Sequence, residues 1–275
     1  MTALIILPFP VNDGNFVSSN VPENDHAAWA SSTHYAIGDR VIVVSTHLIY
    51  ESVTANNTGN PPTTAANVPT YWLVVGSTNR WRAFDNSLGQ STTNPNTITY
   101  SIGAPSRLDA VAFVGLVATS VRVLVRNPAS VITYDVTQQL VDLSDVTDWL
   151  DFVTFTGAFD PEVVFDGISA VSGSSLEITI TTATGGIAEV SEIICGRTEP
   201  LGQLLDGTRS GFTDYSRKEI DAFGNITIVK RPTARRAEWE MAFDTQSNRR
   251  IQRALEDARG SPAFFYPGPD MINFY

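Results

Sequence analysis

The chain has 275 residues, 43% of them hydrophobic, and a formal net charge of −11. That length supports two or three domains with sizeable cores, and the acidic balance excludes a nucleic-acid binder held by phosphate contacts. Cys195 is the single cysteine, which excludes an internal disulfide and a cysteine-rich metal site and suits a protein made in a reducing cytoplasm. Charge is unevenly spread: from Pro200 onward there are eleven basic and ten acidic residues, against seven basic and nineteen acidic before it. Lys218 and Lys230 are the only lysines. Arginine favours fixed, planar pairing, which suits protein contacts. No basic region precedes an apolar run, so no secretory leader is expected. The longest apolar tract, "LDAVAFVGLVATSVRVLV", contains Arg122 and alternates valines, and it reads as strands rather than as a membrane helix.

Residues 1–25 read as an arm. "MTALIILPFPV" is an apolar strand interrupted by Pro8 and Pro10, followed by the turn-rich "NDGNFVSSNVPEND". Too short to stand alone, it is expected to lie on another part of the chain or on a neighbouring subunit. Residues 26–79 form a module of three short strands, "DRVIVVS", "HLIYESV" and "TYWLVVG", rich in β-branched and aromatic residues. The loop "NNTGNPPTT", with Gly59, Pro61 and Pro62, forbids regular structure between the last two. Trp29, Tyr35, Tyr50, Tyr71 and Trp72 supply a small aromatic core. The order Trp29, Tyr35, Gly38-Asp39, Val41, Tyr50-Glu51, Trp72, Gly76 resembles the family 5/12 carbohydrate-binding modules of the chitin-binding type. The resemblance implies sugar binding by aromatic stacking. In that family a pair of adjacent aromatics follows the "YE" strand, whereas here the corresponding place reads "SVTANN". Tyr50 and Trp72 match structural positions. The candidate sugar contacts are therefore Tyr35, Tyr71, Asn56 and Asn57, with a small interaction or spacer module as the alternative.

Residues 80–198 are strand-rich throughout. "TITYSI", "AVAFVGL", "SVRVLVR", "SVITYDV", "FVTFTGAF", "SLEITITT" and "AEVSEIICG" are candidate strands separated by turn signals, the pattern of a β-sandwich. In "SLEITITT", Leu176, Ile178 and Ile180 alternate with Glu177 and Thr179, as one buried face requires. The segment resembles the jelly-roll sandwich of phage tail proteins, itself similar to galactose-binding-like domains. Residues 199–275 differ in character. A helix is expected after Asp244 or Thr245 and before Gly260, with Ile251 and Leu255 four apart on one face and Ala254 beside them. Ahead of it, Ala237, Trp239, Met241 and Phe243 alternate with polar residues as an amphipathic strand, and "PAFFYPG" supplies another. The tract "DYSRKE.DAFGN..IVKR" resembles the C-terminal part of tailed-bacteriophage tail-tip proteins. Arg217, Arg231, Arg235, Arg236, Trp239, Phe264, Phe265 and Tyr266 are the candidate assembly interface, because arginine and aromatic residues are enriched at interface cores.

Catalytic patterns are weak. His26, His34 and His47 all fall in the module with spacing that matches no metal motif, and no G-x-S-x-G elbow or glycine-rich phosphate loop occurs. Cys195 ends a strand and reads as a buried thiol. Asp142, Asp145, Asp148 and Asp151 are spaced by three in "DLSDVTDWLD". Such a ladder can hold calcium or supply a glycosidase pair, but a short helical turn with its acidic side in water, and with Trp149 and Leu150 toward the core, is the favoured reading.

The sequence is thus read as mainly β: a small three-stranded carbohydrate-binding-module-like domain, a jelly-roll-like β-sandwich and a small α+β C-terminal docking module. The resemblances imply a bacteriophage tail-tip or baseplate structural protein, made in the host cytoplasm and carried in the virion. Its expected partners are other tail proteins in a symmetric homo-oligomer and host surface glycans. No catalytic residue, metal, cofactor, nucleic acid or membrane insertion is expected. A carbohydrate-binding accessory protein of a polysaccharide-degrading system is the rival reading.

Overall fold

The computed structural model describes residues 2–142, 148–150, 158–207, 209–220, 226–229, 233–260 and 262–267. The chain is mainly β, built of antiparallel sheets, with a ten-residue helix at Asn248–Asp257. It divides into two compact units, Pro8–Arg197 and Met1–Leu7 with Thr198–Tyr275.

The Pro8–Arg197 unit is a sandwich. One sheet has the order Ile132–Gln139, Ser120–Arg126, Ser175–Thr181, Thr97–Gly103, Phe16–Ser19. Against it stand Glu162–Phe165, Ala110–Val114 and the first residues of the long strand Glu192–Leu204. The alternation of "SLEITITT" explains the register. Leu176 sits between Ile102 and Val125, Ile178 between Tyr100 and Val123, and Ile180 between Ile98 and Val121. Because side chains on a strand alternate in direction, these three rows all face inward. They meet Val111, Phe113, Val163, Phe165, Ile193 and Cys195 from the other sheet in one core. Each large apolar side chain buried there contributes about 1.5–3 kcal/mol.

In the same unit, Arg40–Val43, Leu48–Ser52 and Trp72–Ser77 form the three-stranded sheet of the module. Its core is Tyr35, Val41, Tyr50 and Trp72, with Trp29 and Tyr71 packed at the margin. The acidic ladder lies mostly outside the described residues, which include neither Asp145 nor Asp151 and give only the backbone of Asp142. Trp149 and Leu150, expected to face the core, are instead 77% and 62% exposed beside an exposed Asp148. Trp149 and Leu150 have helical backbone, and their side chains are on the surface.

In the other unit, the arm's strand Thr2–Pro8 lies between Glu192–Leu204 and Phe264–Tyr266. Ala3, Ile5 and Leu7 are buried with Leu201, Ile251 and Ala254. The helix is entered through a short 3-10 turn, Thr245–Ser247, capped by the Asp244 carboxylate, which accepts from the Gln246 N–H. Gly260 follows at φ +84°, a left-handed position that favours glycine. Ile251 and Ala254 are buried, while Leu255, which lines one groove with Ile251 as their spacing requires, stays 47% exposed. The expected strand over Ala237–Phe243 is also interrupted. Thr233–Glu238 pairs with Arg209–Asp214, while Met241–Ala242 pairs with Gln203 and Leu204. The chain changes partner at Trp239–Glu240, so one alternating tract serves two ladders. Arg217–Ile220 and Ile226–Val229 form a further two-stranded ribbon.

Candidate functional site

The module's candidate sugar contacts divide by burial. Tyr35 is 8% exposed, its ring edge-on to Trp72 at 5.2 Å, and its hydroxyl accepts from the Ala30 N–H at 2.8 Å. Asn57 is 2% exposed. Its side-chain amide donates to Ser52 Oγ and to the Tyr71 carbonyl, and its carbonyl oxygen accepts from the Asn60 amide. Trp72 Nε1 donates to the Asn60 carbonyl at 2.7 Å. These bonds pin the "NNTGN" loop onto the aromatic core, and they occupy Tyr35 and Asn57 with structural work. Asn56, exposed at φ 53°, and the half-buried Tyr71 are the two candidates that remain available to a ligand. Exposed apolar residues nearby in sequence are Val53, Leu73 and Val74.

A second cluster joins the module to the segments on either side of it. His47 occupies the turn after Arg40–Val43 at φ 55°. Its Nδ1 lies 2.9 Å from Glu23 Oε1 and its Nε2 lies 2.9 Å from Asp13 Oδ1. The ring stacks on Trp81 with centroids 4.0 Å apart. Glu23 Oε1 also accepts from Thr78 Oγ1, and Arg80 approaches Glu23 Oε2 at 3.6 Å. Arg82 pairs with Asp25 at 3.3 Å. Among the described residues, no group of three or more His, Cys, Asp or Glu side chains is placed to hold a metal ion. His34 instead hydrogen-bonds Thr58 Oγ1. None of this junction was read from the sequence, where Asp13 and Glu23 sit in turn-rich text with no motif, 34 and 24 residues before His47.

Glu192 is a third feature that the sequence hid. The tract "AEVSEIICG" alternates, but Glu192 is 3% exposed and its Oε2 has no hydrogen-bond partner. Burial, with the charge of Asp85 adding to it, pushes the Glu192 carboxyl up to about 8, despite backbone N–H donors at Asn86 and Ser87. Burial also raises Asp85. Cys195, buried on the same strand, has its thiol pushed up by desolvation and by the neighbouring Glu192 charge. A thiol held protonated in this way is a packing group and a poor nucleophile.

In the C-terminal unit, Leu201, Ala237, Trp239, Met241, Ile251, Leu255 and Phe265 line an apolar groove of 480 Å³. Trp239 is half-buried and edge-on to Phe265 at 6.3 Å. Phe265 is 44% exposed, Phe264 is half-buried, and Tyr266 is buried at 1%. Arg217 is exposed and pairs with Glu219, and Arg236 is exposed and pairs with Glu238. The Arg235 backbone pairs with Phe212, and Arg231 lies outside the described residues. The structure therefore brings Trp239 and Phe265 to one groove and buries Tyr266. It adds Leu201, Met241 and Leu255, aliphatic residues that carry no interface signal in sequence.

No protein-family model and no curated protein sequence matches this chain. Among solved structures, it is similar to chitosan-binding module 1 derived from the chitosanase/glucanase of Paenibacillus sp. IK-5, and to a selenomethionine-labelled point mutant of that module. Both likenesses have a TM-score of 0.29 and 14% identity, covering 43% of this chain and 84% of the other. That module is a carbohydrate-binding fold, and the likeness to it is too slight to place this chain in its family.

Proposed function

We propose that this protein is a structural component of a bacteriophage tail tip or baseplate. It docks onto neighbouring tail proteins within a symmetric homo-oligomer, and its module contacts glycans on the host surface. The observation that supports this most is the apolar face of the C-terminal unit, where Leu255 and Phe265 stand about half exposed over a groove floored by aromatic and aliphatic residues. Exposed apolar surface gathered in one place marks an interaction site. The reading adds the resemblance of the "DYSRKE.DAFGN..IVKR" tract to tail-tip proteins. In this role the protein works by binding, without turnover of a substrate and without a cofactor, and it resides in the virion after synthesis in the host cytoplasm. Mass spectrometry of purified particles from a phage encoding this chain tests the reading. Peptides of the chain at a stoichiometry matching a tail ring are expected. Intact tails without those peptides overturn it.

A further inference from the structure

His47 lies in the module's turn between Arg40–Val43 and Leu48–Ser52, at φ 55°. A left-handed backbone is uncommon for a residue with a Cβ and persists where surrounding contacts hold it. Three segments supply those contacts. Trp81, after the module, stacks on the ring with centroids 4.0 Å apart. Glu23, before the module, lies 2.9 Å from Nδ1, and Asp13 lies 2.9 Å from Nε2. Asp13 is carried by the turn at Asn12–Asn15, whose Asn15 carbonyl accepts from the N–H of Gly103 at 2.7 Å. Gly103 ends the sandwich strand Thr97–Gly103. His47 therefore ties a turn of the module to a turn fastened on the sandwich.

The two contacts dictate the charge of the ring. An ionised carboxylate only accepts hydrogen bonds, and a neutral imidazole has one N–H and one lone pair. Glu23 and Asp13 are both satisfied only by an imidazolium, whose charge also favours the face of Trp81. The other charged groups at the junction are Arg80, 3.6 Å from Glu23 Oε2, and the Arg82–Asp25 pair. Arg80 serves Glu23 and not Asp13. In a neutral ring the remaining N–H stays with Glu23, which is 5% exposed and also accepts from Thr78 Oγ1. Nε2 then turns a lone pair on Asp13, whose side chain is 74% exposed and can turn into water.

We propose that His47 is a proton-operated latch between the module and the sandwich, closed on Asp13 as the imidazolium and opened by loss of the Nε2 proton. The contact favours the protonated ring in the folded chain, so what it contributes is present at low pH and is lost as pH rises. Histidine changes charge between pH 5 and 8. The latch thus fixes the module's turn in mildly acidic solution and loosens it in basic solution. It does not depend on the partners proposed above.

Hydrogen exchange of the full chain tests it, with each amide rate divided by that of an unstructured peptide at the same pH. The amides of residues 44–48 report the opening of the turn. At pH 5.5 the wild type is expected to open about two- to fivefold less than Asp13→Asn, the size of an exposed ion pair. At pH 9 the wild type should open as much as the variant or more. In a His47→Gln background, Asp13→Asn should have no such pH-dependent effect, because glutamine does not titrate. Circular dichroism confirms that each variant is folded, and the comparison of wild type with Asp13→Asn stands even where His47→Gln does not fold. Equal opening of wild type and Asp13→Asn at pH 5.5 overturns the proposal. So does an advantage of the wild type that is the same at pH 9, or a pH-dependent effect of Asp13→Asn that persists in folded His47→Gln.

Discussion

Replacing Glu192 with Gln should stabilise the Pro8–Arg197 unit in a way that depends on pH. The Glu192 carboxyl is 3% exposed with an unbonded Oε2, and it titrates near 8 in the folded chain against an ordinary value of 4.5. Between those values the folded state keeps a proton that the unfolded chain has released, so stability is fully present below pH 4.5 and is lost as pH rises through 8. At about 1.4 kcal/mol per pH unit, the loss across the window is about 4–5 kcal/mol. Glutamine has the shape of the protonated acid and no proton to lose. The variant should match the wild type at pH 4.5 and exceed it at pH 8 by about 4 kcal/mol, which is about 8–16 °C in melting temperature for a unit of this size. Thermal melts of both proteins across pH 4.5–9 measure this. A difference that does not change with pH refutes the reasoning.

Two further outcomes follow from the module. Tyr71→Ala should lower the glycan-array or cell-binding signal with the near-UV spectrum unchanged. Tyr35→Ala should cost about 3–5 kcal/mol of stability, because it empties the space against Trp72, and should lose binding only together with the fold. Equal effects of the two variants on folding would show that the division by burial is wrong. His47→Ala removes hydrogen bonds to Glu23 and Asp13 and the stack on Trp81. The expected loss is about 1.5–3 kcal/mol at neutral pH in a denaturant titration, with faster proteolysis near residues 13–25, and an unchanged midpoint would count against the junction.

Much of the sandwich was legible in the sequence, because strand periodicity is local. Leu176, Ile178 and Ile180 alternate in the text and share one face in the fold. The three strands of the module, the buried Cys195 and the cap of the C-terminal helix were readable for the same reason. Each is decided by residues within a turn or a strand of one another. The structural roles of Tyr50 and Trp72 came instead from the resemblance to the carbohydrate-binding modules. The candidate site was only partly legible. A tyrosine reads the same whether its ring faces a ligand or a tryptophan, and only burial and the side-chain hydrogen bonds of Tyr35 and Asn57 show that these two are occupied.

What joins distant parts of the chain came from tertiary structure alone. Thr2–Pro8 joins the unit that begins at Thr198, some two hundred residues away, because its Ile5 and Leu7 complete a core that Leu201 and Ile251 cannot close by themselves. Glu192 stands in an alternating tract that signals solvent, yet the turn at Asp85–Ser87 takes it out of water and raises its pKa. Phe212 and Leu255 are ordinary apolar residues in sequence, and exposure alone marks them. Periodicity dictates which side of a strand is apolar. Whether that side meets core, water or another chain depends on elements far along the sequence, whose approach no local pattern records.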